Sequence, residues 1–360
     1  MKMSSTNKPV FYHNPLSKKF VRDSNIELLR IVAMFLVLID HSGYMSIDPP
    51  TNEEVFTAPM LSMVRYFSQS FSSICVNVFV LISGWFGIKA RITRITDFLF
   101  QIYFICFVTF FVLLTIGITS PMSISEWIDF LVLGDLWFVN AYLILYLFAP
   151  MINIFVDSLK KKQFLLFLLT FLGIQFLHGF VIQTGWFDKG MSPLTLICIY
   201  MIGRYMRLYS NRFTTLNRWI DILIYFLVSI LGAVLTFISV RHGAKGYRFF
   251  SYASPTVIIA SVYFFLFFTK NSFKSRIVNW IAASAFAVYV LNCEGHFWHY
   301  YLSTNHSWWK NGSSSEYIIK TFMFDVIVFI IAIILDKIRI VVWSQVKRLI
   351  PKSNTLHIYF

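Results

Sequence analysis

An arginine and a histidine share one apolar segment near the start of the chain. Arg30 and His41 lie within residues 26–45, with ten residues between them. At about 100° per residue, eleven steps return a helix to roughly 20° from its starting direction, about 16 Å along the axis. Both side chains are therefore expected on one face of one helix. Because ionisable residues inside a membrane span are costly and by default mark a functional site, this face is predicted to line a polar path.

The two side chains suit different chemistry. A neutral imidazole can take a proton from a hydroxyl near neutral pH, so His41 is the candidate general base. A guanidinium binds phosphate or carboxylate groups, so Arg30 is the candidate site for an anionic donor. Glu27 falls within about 60° of both, whereas Asp40 points about 100° away from His41. Two simpler interpretations stay open: Arg30 extending to the headgroups, and His41 making an ordinary interhelical hydrogen bond.

A second set of polar residues lies in or beside other apolar segments. Glu294 and His296, together with His299, are predicted to form a polar cluster near the end of a span, or alternatively a polar belt around a hydrophilic opening. No acidic or thiol partner has the spacing of a metal site, so we predict no metal and no bound cofactor. The candidate substrate-binding residues are Glu27, Arg65, Asn77, Asn140, Arg204, Glu294 and His296.

The composition is that of a membrane protein. Of the 360 residues, 57% are hydrophobic and 13% are charged, whereas a soluble domain carries about 25% charge. We predict an all-α fold, a single bundle of about ten transmembrane helices, since most apolar runs approach the roughly 20 residues of a bilayer crossing. The predicted spans are residues 26–45, 71–88, 97–118, 137–157, 163–183, 192–208, 219–240, 251–270, 277–302 and 317–336.

The distribution of lysine and arginine predicts the orientation. Most of the 31 basic residues fall on the side of the two termini, which the positive-inside rule assigns to the cytoplasm. The expected organisation is a cytoplasmic basic arm (1–25), a transmembrane domain (26–343) and a cytoplasmic tail (344–360) of a multi-pass protein of the cell membrane. The net charge of +14 thus reflects topology and contact with anionic membrane lipid rather than a nucleic-acid partner.

One loop departs from this pattern. Residues 241–248 are basic, yet they are assigned to the outer side. Contact with lipid headgroups is one interpretation. The other is a patch that holds an anionic, phosphate-bearing substrate at the outer face.

Several segments, taken in order and spacing, closely resemble the acyltransferase family 3 integral-membrane proteins. The first helix of that family has an arginine, ten residues and then a histidine, as Arg30 and His41 have here. The resemblance covers most of residues 25–340. The matching segments are residues 25–41, 76–86, 136–150, 199–206 and 285–291.

This resemblance implies a membrane O-acyltransferase. Proteins of this kind move acyl groups, often acetyl, from cytoplasmic acyl-CoA to hydroxyls of cell-envelope or capsular polysaccharides. It also implies that His41 is the catalytic histidine and that Arg30 takes part in donor binding or acyl passage. Family members often carry a histidine where Asn292 follows a Tyr-Val-Leu run, so that role would pass to Glu294 or His296. Some also carry a fused extracytoplasmic hydrolase-like domain; none is expected here, and a separate extracytoplasmic partner could complete the transfer.

The resulting hypothesis gives the two residues separate positions on one path. Acyl-CoA would bind near Arg30 from the cytoplasm, while a hydroxyl of a glycan or a lipid-linked glycan approaches His41 from outside, without contact between the two residues. A transporter or flippase of a lipid-linked glycan is the alternative, although no internal repeat supports it; a membrane sensor module would need an output domain. Further basic residues are candidates for the donor phosphates: Arg91, Arg94, Arg204 and Arg207.

Overall fold

The computed structural model describes residues 23–134, 136–211 and 213–349. Most of the predicted arm (1–25) and the end of the predicted tail (344–360) lie outside the described residues. Within the described ranges, every regular element is a helix. The α-helices are α1 Ser24–Asp40, α2 Asn52–Thr57, α3 Pro59–Ser72, α4 Cys75–Phe86, α5 Ile92–Thr115, α6 Ile124–Val132, α7 Trp137–Ser158, α8 Lys161–Gln175, α9 Pro193–Leu208, α10 Arg218–Arg241, α11 Pro255–Thr269, α12 Arg276–Ala282, α13 Phe286–Asn292, α14 Gly295–Asn311 and α15 Ser314–Leu349.

The prediction of an all-α polytopic membrane protein is confirmed, with ten as an approximate count. In the described part of the chain, seven helical stretches are long and apolar enough to cross a membrane, and α12–α14 adds an eighth if its bent halves form one span. The helices α1 and α9 have 17 and 16 residues, slightly under the roughly 20 residues of a full crossing. The first of them continues into a π-helical turn, His41–Met45, so the predicted span 26–45 is helical throughout.

The predicted span 277–302 is wrong as a single helix. The chain bends by 79° between Arg276–Asn292 and Gly295–Asn311. At the bend, a Glu294 carboxylate oxygen accepts a hydrogen bond from the Phe297 amide at 2.9 Å and caps α14. The sequence turns polar at the bend, with Asn292, Glu294 and His296, but a change in hydropathy does not by itself show a change of direction.

The helix that contains the predicted last span, 317–336, extends beyond that span at both ends. The helix α15 runs from Ser314 to Leu349 and crosses the predicted 343–344 boundary without a break. Its charges are paired, because Arg339 donates to Asp336 Oδ1 at 2.8 Å and Gln101 donates to the same oxygen at 2.8 Å. Charges that are satisfied in this way let the helix continue past the end of the apolar pattern.

The helix α1 lies at the centre of the bundle. It contacts six other helices: α3, α4, α11, α12, α13 and α15. Its first turn is fixed by polar contacts, since the Ser24 amide donates to Phe273 O at 3.2 Å and the Asn25 amide group donates to Phe268 O at 2.9 Å. The π-helical turn follows directly after Asp40, and such turns are frequent at functional sites. Central placement means that substrate near Arg30 or His41 must enter between helices.

Glycine permits the close approach of α4 and α9. A Cβ on Gly203 would lie 2.7 Å from Leu81 O and 3.0 Å from the Cα of Gly84. We therefore expect Gly203→Val to overpack this contact and destabilise the protein by about 1–3 kcal/mol, measured as a lower thermal unfolding midpoint in detergent. The matched control is Gly173→Val in α8, where nothing lies within 4 Å of the added Cβ. Equal midpoints for the two variants would show that this contact is not close-packed.

Candidate active site

One cavity, of about 270 Å³, lies beside the first half of α1. Arg30 and Arg94 line it, together with the aromatic side chains of Phe79, Phe98 and Phe286. We call it the arginine cavity. Its lining suits a ligand with an anionic group and an apolar arm, since pockets of this kind combine apolar walls with a few polar anchors.

A carboxylate positions the Arg30 side chain. Its Nη1 donates to Glu27 Oε1 at 2.7 Å, and Glu27 is only 4% exposed. Among the described residues, no carboxylate pairs with Arg94. The arginine cavity therefore holds two guanidinium groups against one carboxylate, which leaves a net positive charge for an anion. Of the four further basic candidates, Arg94 alone lines the cavity.

At the other end of α1, His41 contacts the bent segment α13–α14. Its Nδ1 lies 2.5 Å from Asn292 Oδ1, and its ring meets the edge of the Trp298 ring at a centroid distance of 4.8 Å. An amide oxygen can only accept. With that oxygen facing the ring, Nδ1 carries the proton and Nε2 keeps the lone pair that a general base requires.

The neighbouring carboxylate does not orient His41. Asp40 Oδ1 accepts hydrogen bonds from Gln69 Nε2 at 2.7 Å and from Ser72 Oγ at 3.2 Å. Both donors are on α3, on a different side of α1 from Asn292. This placement agrees with the expected offset of about 100° between consecutive helical residues.

A second cavity, of about 250 Å³, lies at the bend between α13 and α14. Glu294, His296 and His299 line it, as expected of a polar cluster at this position. The Nδ1 atom of His296 lies 3.0 Å from Glu294 Oε1, and its ring packs 4.9 Å from that of Phe110. Within the described residues, no three His, Cys, Asp or Glu side chains are arranged to hold a metal ion.

Four other predicted binding residues, Arg65, Asn77, Asn140 and Arg204, lie outside both cavities. Each is bonded to a residue elsewhere in the protein. Two arginines form ion pairs, and two asparagines donate to backbone carbonyls. Each of these contacts satisfies at least one polar atom of a partly or fully buried side chain without a ligand. The pairs are Arg65 Nη1 with Glu54 Oε1 (2.9 Å), Arg204 Nη2 with Asp157 Oδ1 (3.1 Å), Asn77 Nδ2 with Tyr252 O (3.0 Å) and Asn140 Nδ2 with Leu133 O (2.9 Å).

Aromatic rings extend from the arginine cavity along α13 toward Asn292. The Phe286 ring, which lines the arginine cavity, stacks on Tyr289 at 5.6 Å, and the Tyr289 ring lies 5.5 Å from that of Phe138. The arginine cavity does not reach His41. Along α13, Phe286 at the arginine cavity and Asn292 beside His41 are six residues apart, with Tyr289 between them.

Comparison with known proteins gives the family. A family model described as an acyltransferase domain, Acyl_transf_3, matches residues 23–335. The chain belongs to the acyltransferase 3 family. Neither a curated protein nor a solved structure matched the chain. The suspected family is thus confirmed, and the chain is a membrane acyltransferase whose matched region holds both cavities and both ends of α1.

In this acyltransferase, sequence reasoning missed Asn292 as a site residue. In the sequence it stands out only as a departure from the histidine that many family members carry. The available signal was its position, because Asn292 ends an apolar run and is 0% exposed. A polar side chain buried inside a membrane protein requires a partner, and the partner is the histidine of α1.

We expect Asn292→Leu to reduce transfer by the acyltransferase about tenfold, the worth of one net hydrogen bond of about 1.4 kcal/mol. Asn292 acts through His41, so kcat should fall while KM for the acyl donor stays within twofold. Asn292→Asp keeps an acceptor for Nδ1–H and should restore most of the rate. The same loss in both variants, or a rise in KM alone, would contradict a positioning role.

Proposed function

We propose that this acyltransferase moves an acyl group, acetyl in the simplest case, from acyl-CoA to a hydroxyl of a cell-envelope or capsular polysaccharide. The supporting observation is that the two ends of α1 have different surroundings. One end places Arg30 in a positive cavity with an apolar wall, and the other places His41 with one ring nitrogen held by Asn292.

The arginine cavity is the proposed donor site. The phosphates of acyl-CoA are negatively charged and would pair with the positively charged Arg30 and Arg94. Guanidinium–phosphate hydrogen bonds are strong because both partners are charged. The thioester arm would extend along α1 past Phe286 toward His41. The roughly 16 Å between the two positions is comparable to the reach of a pantetheine arm.

The proposed reaction needs one base and one leaving group. Nε2 of His41 takes the proton from the acceptor hydroxyl as the oxygen attacks the thioester carbonyl. The carbon–sulfur bond then breaks, the ester forms, and the proton on His41 passes to the departing thiolate. Atoms and charge balance without a metal or a redox cofactor in the step.

The proposed setting is the cell membrane with both termini in the cytoplasm. In this orientation Arg30 faces the side that holds acyl-CoA, and His41 faces the side where envelope glycan is found. A separate extracytoplasmic protein would be needed only if the final acceptor cannot reach His41.

The deciding experiment compares cells that lack the gene with cells complemented by the wild type or by His41→Ala. The proposal expects loss of ester-linked acyl groups, at unchanged glycan amount, in the first and third strains. Loss of surface glycan itself would instead favour the transport of a lipid-linked glycan. Unchanged ester content in the deletion strain would contradict the proposal.

A further inference from the structure

A third cavity, of about 120 Å³, lies at the His41 end of α1. Asp40 and Tyr44, which flank His41 in sequence, form one side of it. The other sides come from two loops that are distant in sequence: Gln183 and Lys189 follow α8, and Arg248 precedes α11. We call it the cationic cavity.

Its two cations have no acidic partner among the described residues. Neither Lys189 nor Arg248 makes a salt bridge or a side-chain hydrogen bond there, in contrast to Arg65 and Arg204, which are ion-paired. Of the basic residues in loop 241–248, Arg248 alone lines the cavity. Arg241 instead packs over the Phe56 ring at 5.2 Å. The positive charge at this opening is therefore available to a ligand.

The cavity also has unused hydrogen-bond donors. The Gln183 Nε2 and Tyr44 OH groups are buried without a hydrogen-bond partner. Buried polar groups in proteins are usually satisfied, so a pair of unsatisfied donors lining one cavity indicates an oxygen-rich ligand. Together with the two cations, they provide four donors for anionic or hydroxyl oxygens.

The backbone of the first loop is fixed in an unusual conformation. Gln183 and Lys189 both have positive φ, 58° and 53°, which is rare for residues with a side chain and is concentrated at functional sites. Ser251 Oγ donates to Lys189 O. A Cβ on the next residue, Gly190, would lie 2.6 Å from Ala253 N. The two loops are thus packed together in a way that holds Lys189 at the opening.

Depth distinguishes between kinds of anionic ligand. Lys189 is exposed, whereas Asp40 is 3% exposed and lies at the inner end. A free phosphate bound deep in the cavity would meet this carboxyl group. A sugar acid can place its anionic group at Lys189 and Arg248 while its hydroxyls donate to Asp40. The rings of Tyr247 and Tyr252 also line the cavity and offer apolar faces to a sugar ring.

We propose that the cationic cavity, at the same end of α1 as His41, binds an anionic sugar unit of the acceptor glycan, one that carries a carboxylate or a phosphate. This inference rests on the proposed function, since it assigns the acceptor class for the same reaction. It predicts that the enzyme selects charged over neutral saccharides.

The test measures binding to the purified protein in nanodiscs by calorimetry. The probes are a tetrasaccharide of alternating glucuronic acid and N-acetylglucosamine, the neutral tetrasaccharide of N-acetylglucosamine, and glucose 1-phosphate. We expect at least tenfold tighter binding of an anionic probe than of the neutral one, weakened by salt. Preference for glucose 1-phosphate would identify phosphate as the recognised group, and preference for the glucuronate probe would identify the carboxylate.

The double variant Lys189→Gln/Arg248→Gln should reduce the affinity for the anionic probes to that of the neutral one. The control is Lys245→Gln, an exposed lysine of the same loop that does not line the cavity. No binding of any probe, equal binding of charged and neutral probes, or an unchanged double variant would overturn the assignment.

A parallel transfer assay with labelled acetyl-CoA separates this inference from the proposed function. Wild-type transfer that is equally fast in the double variant would contradict the acceptor site and leave the proposed function intact. Charge-selective binding without transfer by the wild type or any variant would support the anionic-sugar site and contradict the proposed function.

Discussion

His41→Ala is expected to lower the rate of acyl transfer by roughly 10²- to 10⁴-fold, the range for loss of a general acid–base group. The affinity for acyl-CoA should change by less than twofold, because the arginine cavity does not include His41. The measurement is single-turnover transfer from labelled acetyl-CoA to de-esterified envelope polysaccharide. His242→Ala, an exposed histidine that lines none of the three cavities, is the control.

A second substitution distinguishes the role of His41 as a base from its role in the hydrogen bond to Asn292. His41→Gln supplies an amide that can still donate to Asn292 Oδ1, so the interhelical hydrogen bond is kept while the basic nitrogen is lost. It should be about as inactive as His41→Ala and thermally more stable. Near wild-type transfer by His41→Gln would show that this side chain holds the helices together and is not the base.

Arg30→Ala is expected to weaken acyl-CoA binding by roughly 10- to 100-fold. A hydrogen bond to a charged group is worth about 1.5–3 kcal/mol, and each 1.4 kcal/mol is about tenfold in affinity. The effect should appear in KM and in direct binding, with a smaller change in kcat. Arg94→Ala should act in the same direction because it lines the same cavity.

Arg30→Ala alone leaves the buried Glu27 carboxylate without its partner, which is destabilising in itself. The double variant Arg30→Ala/Glu27→Gln removes that charge, and it should be as stable as the wild type while still binding acyl-CoA weakly. The control is Arg218→Ala, which removes an arginine that bonds to Asn271 outside the cavity. If the double variant binds acyl-CoA as tightly as the wild type, Arg30 has a structural role only.

Local sequence patterns were sufficient to predict most helices and the position of α1. Apolar runs of near bilayer length mark the helices because a span must satisfy its backbone internally. The interval from Arg30 to His41 predicts a common face through helix geometry alone. The bend after Asn292 was not predictable in this way, since the polar residues there also fit the polar end of a straight span, and the capping contact of Glu294 is visible only in the structure.

Contacts between distant segments could not be read from one sequence. His41 and Asn292 are 251 positions apart, and only the packing of α1 against α13 brings them together. The same holds for Lys189 and Arg248, which come from separate loops. In the sequence, a polar residue within an apolar segment looks the same whether its partner is another side chain or a ligand, because either partner satisfies it. Arg65, with an ion pair to Glu54, and Asn140, bonded to Leu133 O, therefore met the same criterion as Arg30.

Sided transfer in proteoliposomes tests the central claim most directly, because the claim is that donor and acceptor bind at opposite ends of α1. The purified chain is reconstituted in one orientation, labelled acetyl-CoA is supplied only on the Arg30 side, and de-esterified polysaccharide only on the His41 side. We predict labelled ester on the polysaccharide and free CoA on the donor side, with neither product from His41→Ala. Transfer that occurs only when acetyl-CoA and polysaccharide are on the same side would contradict it.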